Sequence, residues 1–138
     1  MLPPIPPHYT LVYQASPPVL WGRPHRPLSP EEITEVCELM LAYALHHRCH
    51  YWLLDNRVDA APLPSDLYQW MREDYLPRVR TVLGQSPLRA FVIPAAAWAM
   101  KQGQGDSMPD VEPRNLFQTG WFTEEAPARA WLDQFRWR

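Results

Sequence analysis

Cysteine, glycine and charge of one sign are all scarce in this chain. Cys37 and Cys49 are its only cysteines. That is too few for the bridged framework by which small secreted domains manage without a large core. They read as reduced thiols, which places the protein in the cytoplasm. Thirteen basic against fifteen acidic residues leave a net charge of −2, so the basic excess expected of a general nucleic-acid binder is missing. The longest apolar run, from Ala90 to Met100, is interrupted by Pro94 and falls short of the ~20 residues a membrane span needs. The opening MLPPIPPHY has no charged start and no apolar stretch, so it is not a secretory signal.

What is present is ordinary globular material, 138 residues at 46% hydrophobic and 20% charged, the size and composition of one domain with its own core. Two excesses stand out. Proline occurs 17 times against a usual ~5%, and four prolines fall in residues 1–8, an extended arm with no core of its own. Tryptophan occurs seven times. So many indoles exceed the need of a small core, and some are expected in a groove or a dimer surface.

Along the rest of the chain, residues 9–138, strands and helices alternate. Tyr9–Tyr13 and Val19–Trp21 read as a hairpin, followed by a loop over 23–28. Ser29, Pro30 and Glu32 form the signature of a capped helix start, and the apolar stripe Ile33, Val36, Cys37, Met40, Ala44 carries the helix to His46 or His47. Tyr51–Leu54 is a short continuous apolar run, the pattern of a strand covered on both faces. Ser65 is predicted to cap a second helix lined by Leu67, Trp70, Met71 and Tyr75, bent at Pro77 and stopped at Gly84. Leu88–Ile93 is the next buried strand, and 95–102 a short helix. A polar loop over 103–113 and an edge strand at Leu116–Gln118 follow. A last helix opens at Thr123 with Ala128, Trp131, Leu132 and Phe135 on one face. The order β-β-α-β-α-β-α-β-α predicts a single α/β domain, with a mostly parallel mixed sheet of about four or five strands and about four helices.

Trp21-Gly22, Trp52-Leu53-Leu54-Asp55, Trp70, Tyr75-Leu76-Pro77-Arg78, and Phe122-Thr123 leading to Ala130-Trp131-Leu132 form an ordered set. Through it, roughly residues 9–135 resemble the small STAS-like (SpoIIAA-like fold) bacterial proteins of the type common in Bacteroidetes. The resemblance implies a STAS fold and a non-enzymatic protein-interaction or signalling module with a protein partner, dimeric in some arrangements. Anti-sigma-factor antagonists of that fold carry an Asp-Ser pair after the central strand, where the serine is phosphorylated. Here Asp55 is followed by Asn56 and Arg57, and the nearest helix-starting serine is Ser65.

Few residues pattern for chemistry. His46-His47-Arg48-Cys49-His50 has no second ligand pair, so it reads as a helix end rather than a zinc site. Cys37 lies on a buried stripe, whereas Cys49 is expected to be the accessible thiol. Gly103-Gln104-Gly105 lacks the lysine and hydroxyl of a phosphate loop. Arg78, Arg80 and Arg89 read as solvated charges. No catalytic triad, paired carboxylates or cofactor motif is present, and neither a cofactor nor a metal is expected. The candidate binding residues are Asp55, Asn56 and Arg57 at the end of the central strand, with Ser65 and Trp70 of the next helix. In α/β sheets ligands gather at that edge. A flat aromatic patch there would favour a protein partner. A closed cavity would favour a small apolar ligand such as a lipid, as in CRAL-TRIO domains.

Overall fold

The computed structural model describes residues 2–58, 63–103, 110–111 and 118–136. Its elements are β1 (Tyr9–Ala15), β2 (Pro18–Pro24), α1 (Pro30–His47), β3 (Tyr51–Asp55), α2 (Ser65–Trp70), a π-helical turn (Met71–Tyr75), α3 (Leu76–Leu83), β4 (Leu88–Val92), α4 (Ala95–Gly103), β5 (Asp110–Val111), β6 (Gln118–Phe122) and α5 (Glu125–Arg136). The expected α/β class and single small domain are observed. The six strands stand in the order β1-β2-β3-β4-β6-β5. β2, β3, β4 and β6 are mutually parallel, while β1 and the two-residue β5 run antiparallel to their neighbours.

The hairpin is longer than the sequence pattern indicates. Ala15 pairs with Pro18 across a turn made by Ser16 and Pro17, joined by a cis peptide bond, and β2 continues through Arg23 and Pro24, which the pattern assigns to a loop. The β2 prolines sit where no N–H is required. The His25 N–H donates to the His8 carbonyl, so with a period of two the backbone groups of Thr10, Val12 and Gln14 face β2. Pro18 and Pro24 therefore point away from β1, and they bracket the Leu20–Gly22 stretch paired to β3.

The start of α1 is as the sequence predicts. The Ser29 hydroxyl accepts from the Glu32 amide while the Glu32 carboxylate accepts from the Ser29 amide, and Pro30 opens the helix. Arg48 in the left-handed conformation ends it. α2 differs. Pro64, not Ser65, occupies the N-cap position, and no side chain caps the helix. Proline prefers the extended conformation seen there, and Ser65 is already the first helical residue. The bend expected at Pro77 takes the form of the π turn before it, in which the Leu76 amide reaches the Met71 carbonyl. Widening the helix here makes room for a ring that has no N–H and would crowd the preceding turn. Gly84, with φ of 81°, closes α3 as expected.

The C-terminal half requires two corrections. The strand expected at Leu116–Gln118 is Gln118–Phe122; it lies between β4 and β5 rather than at an edge, and 116–117 fall outside the described residues. Within the polar stretch 103–113, Asp110–Val111 forms β5. Trp121 and Phe122 are strand residues, each aligned with an aromatic or β-branched neighbour, Phe91 and Val92.

Two apolar clusters sandwich the sheet. α1 and the α2–α3 segment cover Tyr9, Leu11, Leu20, Trp52 and Leu54 on one face. α5 covers Val19, Leu53, Ala90 and Val92 on the other, with Ala128, Trp131 and Leu132. The proline-rich arm is pinned to this body. The Tyr43 hydroxyl donates to the Pro3 carbonyl, the Tyr9 amide to Pro6, and the His8 ring lies 3.6 Å from Glu32 and 3.4 Å from Glu35.

Candidate functional site

The strand β3 alternates strictly. Trp52 and Leu54 enter the α1-side cluster and Leu53 the α5-side cluster, so Asp55 closes the strand on the α5 face. Its carboxylate is 2% exposed. Arg57 holds it with Nε at 2.9 Å and Nη2 at 2.7 Å on separate oxygens, and with its backbone amide at 3.2 Å. The last contact is a side-chain-to-backbone turn that an aspartate makes readily. Burial pushes the Asp55 pKa up, but the hydrogen bonds from Arg57 and the charges of Arg57 and Arg23 outweigh it, holding the carboxyl below its ordinary value. The Asn56 amide donates to the Val92 carbonyl at 2.8 Å, tying the exit of β3 to the end of β4. Glu124 and Glu125, at the entrance to α5, add to the field that raises the Arg57 pKa, after the bond to Asp55.

Asp55, Asn56 and Arg57 are thus brought together. Trp70 is elsewhere. It packs on the α1-side cluster, stacked on Tyr75 with centroids 5.4 Å apart. There it lines a shallow groove of about 310 Å³ with Pro30, Glu31, Thr34, Asp66 and Leu67. Asp66, not Ser65, engages the α2 backbone, its Oδ1 accepting from the Leu67 amide. Ser65 is exposed at the helix start. A second shallow groove of about 270 Å³ lies among Tyr68, Gln69, Arg72 and Glu73. The indoles are mostly sheltered: Trp52 and Trp131 are buried, and Trp21, Trp70, Trp98 and Trp121 are half-buried; Trp137 lies outside the described residues.

Sequence reasoning missed Arg23, whose charge acts on Asp55. The signal was present, because Arg23 follows Val19 and Trp21 at a strand period of two, but the flanking prolines concealed the strand. It also misjudged Cys49, which is 2% exposed and whose Sγ donates to the Tyr51 carbonyl at 3.3 Å. The chain turns inward directly after Arg48, since the Cys49 amide still bonds to Ala44. Burial pushes the Cys37 thiol up to about 12.

The histidine-rich segment is dispersed by the same turn. The His47 ring stacks on Tyr13 at 3.9 Å and meets His46 edge-on; burial, then the neighbouring His46, lowers its pKa. The His50 ring lies 3.4 Å from the Leu83 carbonyl. Arg78 forms a fork with Glu38 and reaches Asp74. Of Gly103-Gln104-Gly105, Gly103 ends α4 and the other two lie outside the described residues. Among the described residues no three His, Cys, Asp or Glu side chains form a set able to hold a metal ion, and no helix is long and apolar enough to cross a membrane. No known family model, curated protein or solved structure matches this chain.

Proposed function

We propose that this chain is a non-enzymatic protein-interaction or signalling module of the STAS type. The observation that carries this reading is the open side of the sheet. It ends on β1, a seven-residue strand with no neighbour beyond it among the described residues, and such an edge is a template for another chain. The grooves beside Trp70 and Tyr68 are shallow, a relief that suits a protein surface better than an enclosed apolar ligand. Apart from the two-residue β5, the order of elements agrees with the one the STAS resemblance implies, which supports the reading.

Native mass spectrometry of the chain purified from its own host is the test. The expected result is a species whose mass includes a second protein subunit, of this chain or another. A monomer carrying a stoichiometric small apolar molecule would overturn the reading in favour of a ligand carrier.

A further inference from the structure

We infer that β1 pairs antiparallel with β1 of a second copy of this chain, around a two-fold axis at Tyr13, so that two sheets become one. This rests on the interaction reading above and names its partner.

The hydrogen-bonding pattern carries the inference. Thr10, Val12 and Gln14 direct their backbone groups to β2, so those of Tyr9, Leu11, Tyr13 and Ala15 point out of the sheet. Of these, the Tyr9 amide is already held by Pro6. Leu11, Tyr13 and Ala15 remain, and among the described residues no backbone group meets them on that side. They are symmetric about Tyr13. An antiparallel copy centred there sets Tyr13 against the partner's Tyr13, and Leu11 against the partner's Ala15 in both directions, each pair able to exchange two bonds. The next pair outward sets Tyr9, whose amide is spent, against the partner's Pro17, which has none. Pairing therefore stops at both ends where the donors do.

Composition agrees. An edge strand that must stay single usually carries a charge, a proline or a bulge. β1, Tyr-Thr-Leu-Val-Tyr-Gln-Ala, has no charged residue and no proline, and its register with β2 is unbroken over all seven residues. With this register a charge at Tyr13 would meet its like directly across the axis, and one at Val12 or Gln14 would meet it on the diagonal; the native strand carries no charge. On the α5 face Val12 is 42% exposed and would lie beside the partner's Gln14. A two-fold arrangement also closes, as most soluble homo-oligomers do, and it pairs the seven-residue edge strand β1.

The test compares the full chain with Ala15→Pro and Val12→Glu by sedimentation equilibrium and amide hydrogen exchange. Both sites are exposed, and Ala15 directs its amide away from β2, so neither variant removes a bond of the monomer; unchanged circular dichroism confirms each fold. The expected result is a wild-type mass twice that of the chain, with slow exchange at the Leu11, Tyr13 and Ala15 amides. Both variants should sediment at the mass of one chain, with fast exchange at Leu11 and Tyr13. A wild-type dimer that survives Ala15→Pro, or that leaves those amides unprotected, overturns the pairing but keeps an interaction module. A wild-type monomer that captures a different protein does the same. A monomer holding only a small molecule overturns both readings.

Discussion

Arg57 grips the buried Asp55 carboxylate with its guanidinium and its own amide at once, so a residue that is itself 45% exposed governs a charge that is not. Arg57→Ala should therefore destabilise the fold by roughly 1–3 kcal/mol, since it leaves a buried acceptor without its charged donor, and towards the lower end because solvent reaches the arginine. Asn56→Ala keeps the amide that binds Val92 and should stay within about 0.5 kcal/mol of wild type. Urea unfolding of the two variants decides, and equal losses would refute the difference in role.

Acid should weaken the protein in a defined window. Asp55 and Glu32 both have folded pKa values below their ordinary 3.8 and 4.5, with Glu32 lowered to about 2 by its bonds from Arg26 and Ser29. A lowered folded pKa gives stability that is complete above the unfolded value and is lost as pH falls through the folded one. The urea midpoint should thus fall from about pH 4.5 towards about 2, and fall less in Arg57→Ala. A midpoint insensitive to pH across that range would contradict the ion pairs.

The two serines at helix starts should behave differently. Ser29→Ala removes a reciprocal cap and should cost about 1 kcal/mol. Ser65→Ala removes no capping bond and should cost less than about 0.5 kcal/mol. Chemical denaturation of both separates them, and similar losses would restore Ser65 as a cap.

Gly22 lies under the Tyr9 ring. A Cβ there would come within 2.9 Å of Tyr9 Cζ and closer still to the hydroxyl oxygen, and Tyr9 is too buried to swing away. Gly22→Ala should cost about 1–3 kcal/mol through overpacking. Adding Tyr9→Phe should recover part of that loss, a non-additivity readable in a double-mutant cycle. Strict additivity would show that the two residues do not touch in solution.

Neither thiol should react with an aromatic disulfide reagent before unfolding. Cys49 is enclosed, and burial has pushed the pKa of both thiols up, which suppresses the nucleophilic thiolate. Titration before and after denaturation should give none and then two thiols; one fast thiol in the native protein would refute this.

The elements that were legible in sequence were those with local signals. Ser29-Pro30-Glu32 defines its helix start without help from distant residues, and the short continuous Tyr51–Leu54 run, stopped at Asp55-Asn56, has the pattern of a doubly covered strand. Ser65 misled because a serine before an apolar stripe has the composition of a cap, while the backbone of Pro64 decides which residue opens the helix. β6 was displaced because Gln118-Thr119-Gly120 has little strand character of its own and takes its form from β4 and β5. At the candidate site Asp55 and Arg57 were visible as polar residues at a strand end. Their mutual grip was not, and neither was the placement of Trp70 on the far face, which depends on the phase of β3 against two separate clusters.

The strand order has a consequence for how the chain is made. From β1 to β4, and on to β6, each long strand lies beside the one synthesised before it. A growing polypeptide can therefore add strands one at a time at a single advancing side, and the connection closed at each step is the stretch just made, never the whole preceding chain. α5 alone works against this economy. It is made after every strand of the sheet, yet it covers Val19 and Leu53 of β2 and β3. Until it arrives, one whole side of the sheet is wet.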